Sequence, residues 1–135
     1  MSEDKISVII FKNMISQLKK RVPLKSVILF GSQARGEALP ESDYDVVIIA
    51  EFEEKYLDRG EWVVQLAPDV ATDIFCYTPD EFETLFAQYN LTALDAIAEG
   101  IVLYGKDFVN PYKQRYADFV RRGLKKEDCV LVLPV

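Results

Sequence analysis

Two short, unbroken apolar runs, Val27-Ile28-Leu29-Phe30 and Val46-Val47-Ile48-Ile49, limit the fold more than anything else in this chain. A strand with one face in water alternates apolar and polar residues, so runs without alternation belong inside a sheet covered on both faces. The segment joining them is short and polar. Gly31-Ser32 follows the first run, ten residues intervene, and Asp43-Tyr44-Asp45 opens the second. Because side chains alternate along a strand, Asp43 and Asp45 are expected on one face. Two carboxylates held side by side repel one another unless cations neutralise them, which suits a divalent metal with oxygen ligands. A tight turn at Gly31-Ser32 offers backbone N–H groups to an anion. The pairing suggests phosphate and metal.

Around these runs, helical and strand patterns alternate without any repeat. Ile6, Ile9, Ile10, Met14 and Leu18 have helical spacing, with Ser2, Glu3 and Asp4 at the favourable start, Lys19, Lys20 and Arg21 at the favourable end, and Pro23 closing the helix. Residues 52–67 read as a helix ending before Pro68, and 70–77 as a third strand. Thr78-Pro79-Asp80-Glu81 combines an N-cap, a proline in the first turn and a capping-box glutamate, the best-marked helix start in the chain. Residues 92–99 read as a short helix stopped by Gly100, 101–104 as a strand, and 110–122 as a last helix with Gly123 after it. The expectation is an α/β (α+β) fold, a mixed β-sheet with helices packed against it.

Composition narrows the setting. At 135 residues, half of them apolar, the chain is expected to form a single domain over 1–135. A net charge of −6 argues against direct nucleic-acid binding through a cationic surface, although an acidic whole can carry a local basic pocket. No apolar run approaches the ~18 residues of a membrane span, and no signal pattern opens the chain, so a cytoplasmic protein is expected. With Cys76 and Cys129 as its two cysteines, no CxxC and no histidine, neither a zinc site nor a disulfide framework is expected.

Asp73 adds a third acid, within Val70-Ala71-Thr72-Asp73-Ile74-Phe75-Cys76-Tyr77. A charge in a central strand is costly unless compensated, and a metal would compensate it. If this strand lies beside the one carrying Asp43 and Asp45, three carboxylates converge near Gly31-Ser32. Three acids can hold two divalent ions, and a pair ~3.5–4 Å apart stabilises both the attacking and leaving oxygens in phosphoryl chemistry.

Gly31-Ser32, ten residues, Asp43-Tyr44-Asp45 and a later-strand Asp73 together resemble the nucleotidyltransferase domain of the DNA polymerase β superfamily. Within it, Gly-Ser-Gln-Ala-Arg-Gly in a short chain is similar to the minimal nucleotidyltransferases, often paired with a HEPN-domain protein as antitoxin and toxin. The resemblance covers about residues 4–105, through Glu99-Gly100-Ile101-Val102-Leu103-Tyr104-Gly105; residues 106–135, a helix and an apolar tail, carry no signature. It implies Mg²⁺-dependent transfer of a nucleoside monophosphate, usually AMP from ATP, onto a hydroxyl, with two ions. Ser32 and the Gly31 backbone would hold the triphosphate and Arg35 would supply phosphate charge. Asp43 and Asp45 would bind both metals; Asp73 would ligate the catalytic metal and help deprotonate the attacking hydroxyl. Gln33 departs from the basic or aromatic residue of many relatives.

Each feature also has a plainer explanation. Gly31-Ser32 can be an ordinary strand-ending turn, and Arg35 an ion-pair partner of Glu37. Lys106 reads as a solvated lysine. Phe82, Phe86 and Tyr89, and Tyr112, Tyr116 and Phe119, have the spacing of helix core faces, with a partner groove as the second reading of the last set. The ending 129–135 is apolar enough to need a surface to pack on. Three functions fit: modification of a partner protein, modification of a small hydroxyl compound such as an aminoglycoside, or neutralisation of a partner by binding alone. Homo- and hetero-oligomers are both open.

Overall fold

The computed structural model describes residues 3–37, 43–68, 70–127 and 130–135, and the side chains of these except 3–8 and 10. The expectations for Ser2, Cys129, and the side chains of Ile6 and Ile10 lie outside the described residues. Helix α1 (Glu3–Arg21) leads into strand β1 (Leu24–Phe30), the single-turn helix α2 (Ser32–Arg35) and strand β2 (Tyr44–Ala50). Helix α3 (Tyr56–Val63) with a 3₁₀ turn (Val64–Leu66), strand β3 (Thr72–Tyr77) and helices α4 (Pro79–Ala87) and α5 (Leu91–Glu99) follow. Strand β4 (Ile101–Tyr104), helix α6 (Lys106–Arg121) and the small hairpin β5 (Lys125–Glu127) and β6 (Val130–Val132) complete the order.

The sheet runs β3-β2-β1-β4, with β1 antiparallel to both neighbours and β2 parallel to β3. It is therefore mixed, as the alternation of elements predicts. The two unbroken apolar runs are its inner strands. Ile28, Phe30, Val47 and Ile49 face α4, α5 and α6, while Val27, Leu29, Val46, Ile48 and Ala50 face α1 and α3. Both faces are covered, so neither run has a side that water could occupy. Ser26 is the polar interruption, and its hydroxyl donates to the carbonyl of Tyr104 at 2.9 Å beside an irregularity in the β1–β4 pairing.

Most boundaries follow local signals. Thr78 caps α4 by accepting from the Glu81 amide, and the Glu81 carboxylate accepts in turn from the Thr78 amide. Asn90 caps α5 through the Ala93 amide. Two helix starts move by four residues, and the third strand begins at Thr72 instead of 70. The third helix begins at Tyr56, not 52, because Phe52 is drawn into the core beside Trp62 while the Glu51 amide donates to the Pro23 carbonyl. The last helix begins at Lys106, four residues before the Asn110 at which sequence starts it, and contains Pro111. Starting there extends the helix to Val109, which is fully buried; the cost is one backbone bond that proline cannot make.

The aromatic face of α6 is core. Tyr112 meets Phe82 and Phe86 edge-on at 5.0 and 4.9 Å between ring centres, and Phe119 stacks on Phe86 at 5.2 Å. That removes Tyr112 and Phe119 as a partner groove. The terminal segment packs in part on its own chain, through Leu131 and a bond from the Val135 amide to the Arg122 carbonyl. Val130 and Leu133 remain exposed.

Arg59 is a buried charge that the pattern of apolar residues gave no reason to expect. It donates to the carbonyls of Glu54 (2.8 Å) and Cys76 (3.1 Å) and forks onto Glu81 at 2.5 and 3.3 Å. These bonds tie α3, β3 and the start of α4 together, and Arg59 holds the Glu81 carboxyl below its ordinary value. Glu81→Ala should cost about 2–4 kcal/mol, since it strands a buried guanidinium and removes half of a capping box. The partial exposure of Glu81, 41%, favours the low end of that range. Urea unfolding measures it, and a loss below about 0.5 kcal/mol, a typical surface effect, would contradict the role. Glu81→Gln should also flatten the acid limb: the stability from a lowered carboxyl is present above the unfolded value and is lost as pH falls through the folded one.

Candidate active site

The end of β1 and the beginnings of β2 and β3 meet at one end of the sheet. Phe30 pairs with Asp45 across β1–β2, and Asp45 pairs with Asp73 across β2–β3. In-register neighbours on adjacent strands point to the same face, so the two carboxylates stand side by side. Asp43, one residue before β2, is exposed, and its charge acts on Asp45.

Gly31 leaves β1 with φ 76°, a conformation open to glycine but strained for other residues. The position has no room for a side chain either. A Cβ there would run into the Asp45 carboxylate and lie 3.1 Å from its Cγ. The chain then turns through α2, with the Arg35 amide returning to the Gly31 carbonyl at 3.1 Å and the Glu37 amide to the Ser32 carbonyl at 3.0 Å. Gly31-Ser32 thus does more than end a strand: it brings backbone against an acid.

Asp45 carries the electrostatic cost. Its carboxyl is raised above the ordinary value, first by burial, then by the charges of Asp73 and Asp43, against a lowering by Arg35. Asp73 is different from its sequence reading. Its strand, β3, is an edge strand, and Asp73 itself is exposed. The argument that a charge in a central strand demands compensation therefore fails for Asp73; strand register, not burial, puts it in the site.

Arg35 realises the ion pair with Glu37 (Nε–Oε2 3.0 Å) and adds one with Glu99 at the end of α5 (2.8 Å). Glu99 was missed because the two residues are 64 positions apart in sequence. Together they raise the Arg35 guanidinium, with the Glu99 hydrogen bond the largest cause. Any phosphate binding by Arg35 has to compete with two carboxylates. Lys106 is exposed, as the plainer reading has it.

For a divalent ion, the donor set is hard oxygen, drawn together with like charge on a partly buried member, and a cation relieves both penalties. Among the described residues no three ligating side chains form a ready-made metal cage. The fit is one of chemistry and shared face.

The family of nucleotidyltransferase domains matches residues 11–129. This chain belongs to that family. The match runs past residue 105, where the sequence motifs stop, and takes in α6. No protein of curated function matches the sequence significantly. Among solved structures, the domain is similar to a toxin–antitoxin crystal structure with AMP-PNP, at 22% identity over 79% of this chain and 86% of that one, TM-score 0.55. It is also similar to a protein of Sulfolobus solfataricus assigned as a nucleotidyltransferase, at 18% identity over 74% and 81%, TM-score 0.53. A third is the MntA–HepT toxin–antitoxin structure, at 20% identity over 82% and 86%, TM-score 0.50. At these identities the likeness is one of fold.

The raised carboxyl gives a stability prediction for the unliganded nucleotidyltransferase domain. A carboxyl raised on folding favours the folded state at low pH, and that contribution is lost as pH rises from the unfolded value through the folded one. Asp45→Asn removes the repulsion, so the variant should be more stable than the parent at pH 7, with the gap closing towards pH 4. Thermal unfolding of both proteins at the two pH values decides it. A variant equally stable or weaker at pH 7 would mean that Asp45 is not strained by its neighbours.

Proposed function

We propose that this protein transfers AMP from ATP, with Mg²⁺, to a hydroxyl side chain of a partner protein. The observation that carries the reading is the in-register pair of Asp45 and Asp73, set against the glycine-only backbone of Gly31. Asp43, Asp45 and Asp73 would hold the Mg²⁺ ions, which supply charge neutralisation of the triphosphate and of the oxygens entering and leaving phosphorus. Ser32 and the Gly31 backbone would receive the triphosphate, with Arg35 as a cation at its margin. The acceptor oxygen forms a bond to the α-phosphorus, the bond from that phosphorus to the bridging oxygen breaks, and pyrophosphate leaves. Asp73, exposed at the mouth of the site, takes the hydroxyl proton.

The toxin–antitoxin structures of similar fold, one with AMP-PNP, support a HEPN-type partner and an antitoxin role. Such a setting is cytoplasmic, and no helix among the described residues is long and apolar enough to cross a membrane.

Two outcomes follow. Mg-ATP should raise the unfolding temperature of the parent, and the Asp43→Asn/Asp45→Asn double variant should lose that gain while Asp73→Asn keeps part of it. An unchanged midpoint at millimolar Mg-ATP would remove nucleotide from this site. With a HEPN-domain partner present, intact-mass spectrometry should show the partner heavier by one or more AMP units. Asp73→Asn should slow that transfer about a hundredfold or more. A partner that is neutralised but unmodified would replace the catalytic reading with binding alone.

A further inference from the structure

On the sheet face opposite Asp45 and Asp73, α1 and strand β4 enclose a groove of about 630 Å³. Its construction is two-sided. Phe11, Ile15 and Leu103 make an apolar floor, and Lys12, Lys19 and Lys20 stand along the outer flank of α1. Lys12, Ser16 and Lys19 recur at helical spacing, so they form one stripe beside the floor. The Lys19 ammonium lies 5.2 Å from the centre of the Tyr104 ring, which bridges the two sides. β4 is the last strand of the sheet order, so its outer edge has no strand partner among the described residues.

We propose that this groove captures an extended acidic segment of another protein, which adds as a strand to the edge of β4. Backbone groups of β4 would pair with the segment, and its acidic side chains, alternating to the α1 side, would lay their stems over the floor and reach the lysine stripe, while the residues between them face the other way. Charge complementarity selects the occupant. Three lysines line one groove of a chain whose net charge is −6, so this face attracts anionic groups that the rest of the surface repels. A second copy docking symmetrically here would set lysines against lysines, which disfavours self-association through it. The strand edge suits a peptide, whose backbone can pair with β4 as that of a nucleic acid cannot. Because the groove uses none of the residues assigned to nucleotide chemistry, the inference stands apart from the proposed transfer. A partner held there would leave the acidic site open.

The test uses a fluorescently labelled peptide alternating valine with glutamate, beside the same peptide with lysine for glutamate, read by anisotropy. The glutamate peptide should bind at least about tenfold more tightly than the lysine one at low salt, with the difference shrinking as salt rises. Lys12→Glu/Lys19→Glu/Lys20→Glu should reverse the preference while its unfolding temperature stays near the parent's, as all three side chains are exposed. Hydrogen exchange of residues 101–104 should slow when the glutamate peptide is bound. Equal binding of the two peptides, a preference untouched by the triple variant, or unchanged exchange in β4 would each overturn the proposal. Mg-ATP stabilisation should be the same in parent and triple variant, so a failure here is separable from a failure of the nucleotide reading.

Discussion

Strand β2 is walled in on every side, and the position of every acid in the site descends from that. From Val46 to Ala50 its side chains are fully buried, with β1 on one edge, β3 on the other and helices on both faces. A one-residue slip would exchange its two faces, so packing fixes the register. Once the register is fixed, the residue just before the buried stretch has to sit beside the end of β1 and the start of β3. That residue is Asp45. Its neighbours, Gly31 and Asp73, are then consequences of strand lengths and not of any attraction among the groups themselves.

The price of the arrangement is visible in the same residue. A carboxylate partly buried beside two others is a poor choice for stability, and Asp45 is raised for that reason. Local strain of this kind persists only where surrounding packing over-determines it. Here the over-determination is the two-faced core around β2. Arg35, the nearby cation, relieves little, because Glu37 and Glu99 already share it. The loop from α2 is therefore tied to the end of α5 by the very charge that a phosphate would draw upon.

Much of this was legible in the sequence because it depends on short-range patterns. Unbroken apolar runs identify the inner strands, Thr78-Pro79-Asp80-Glu81 starts α4 as its capping chemistry requires, and the spaced motif points to residues, Gly31, Asp45 and Asp73, that the fold brings together. The illegible parts are set by contacts far apart in the chain. Asp73 looked like a buried charge because Ile74-Phe75-Cys76-Tyr77 follows it, yet sheet order places the strand at an edge and the acid in the open. Glu99 reaches Arg35 across 64 residues. Asn110-Pro111 looked like a helix start, and the need to bury Val109 overrode it. The hairpin was invisible because β5 is Lys-Lys-Glu, all exposed, with no alternation to mark a strand.

Division of the sheet into two faces also divides its work. α4, α5 and α6 cover the face that ends in the acids, and aromatic contacts among Phe82, Phe86, Tyr112 and Phe119 tie α4 to α6 in that layer. α1 covers the other face only in part, leaving the lysine-lined groove against β4. Chemistry that needs metal and phosphate requires carboxylates held in place, whereas recognition of a protein segment requires an open edge. A single strand order, with β2 inside and β4 outside, meets both requirements at separate places. Asp45 thus sits at the mouth of the most thoroughly buried strand, and the unpaired edge of β4 lies away from it, on the far side of β1.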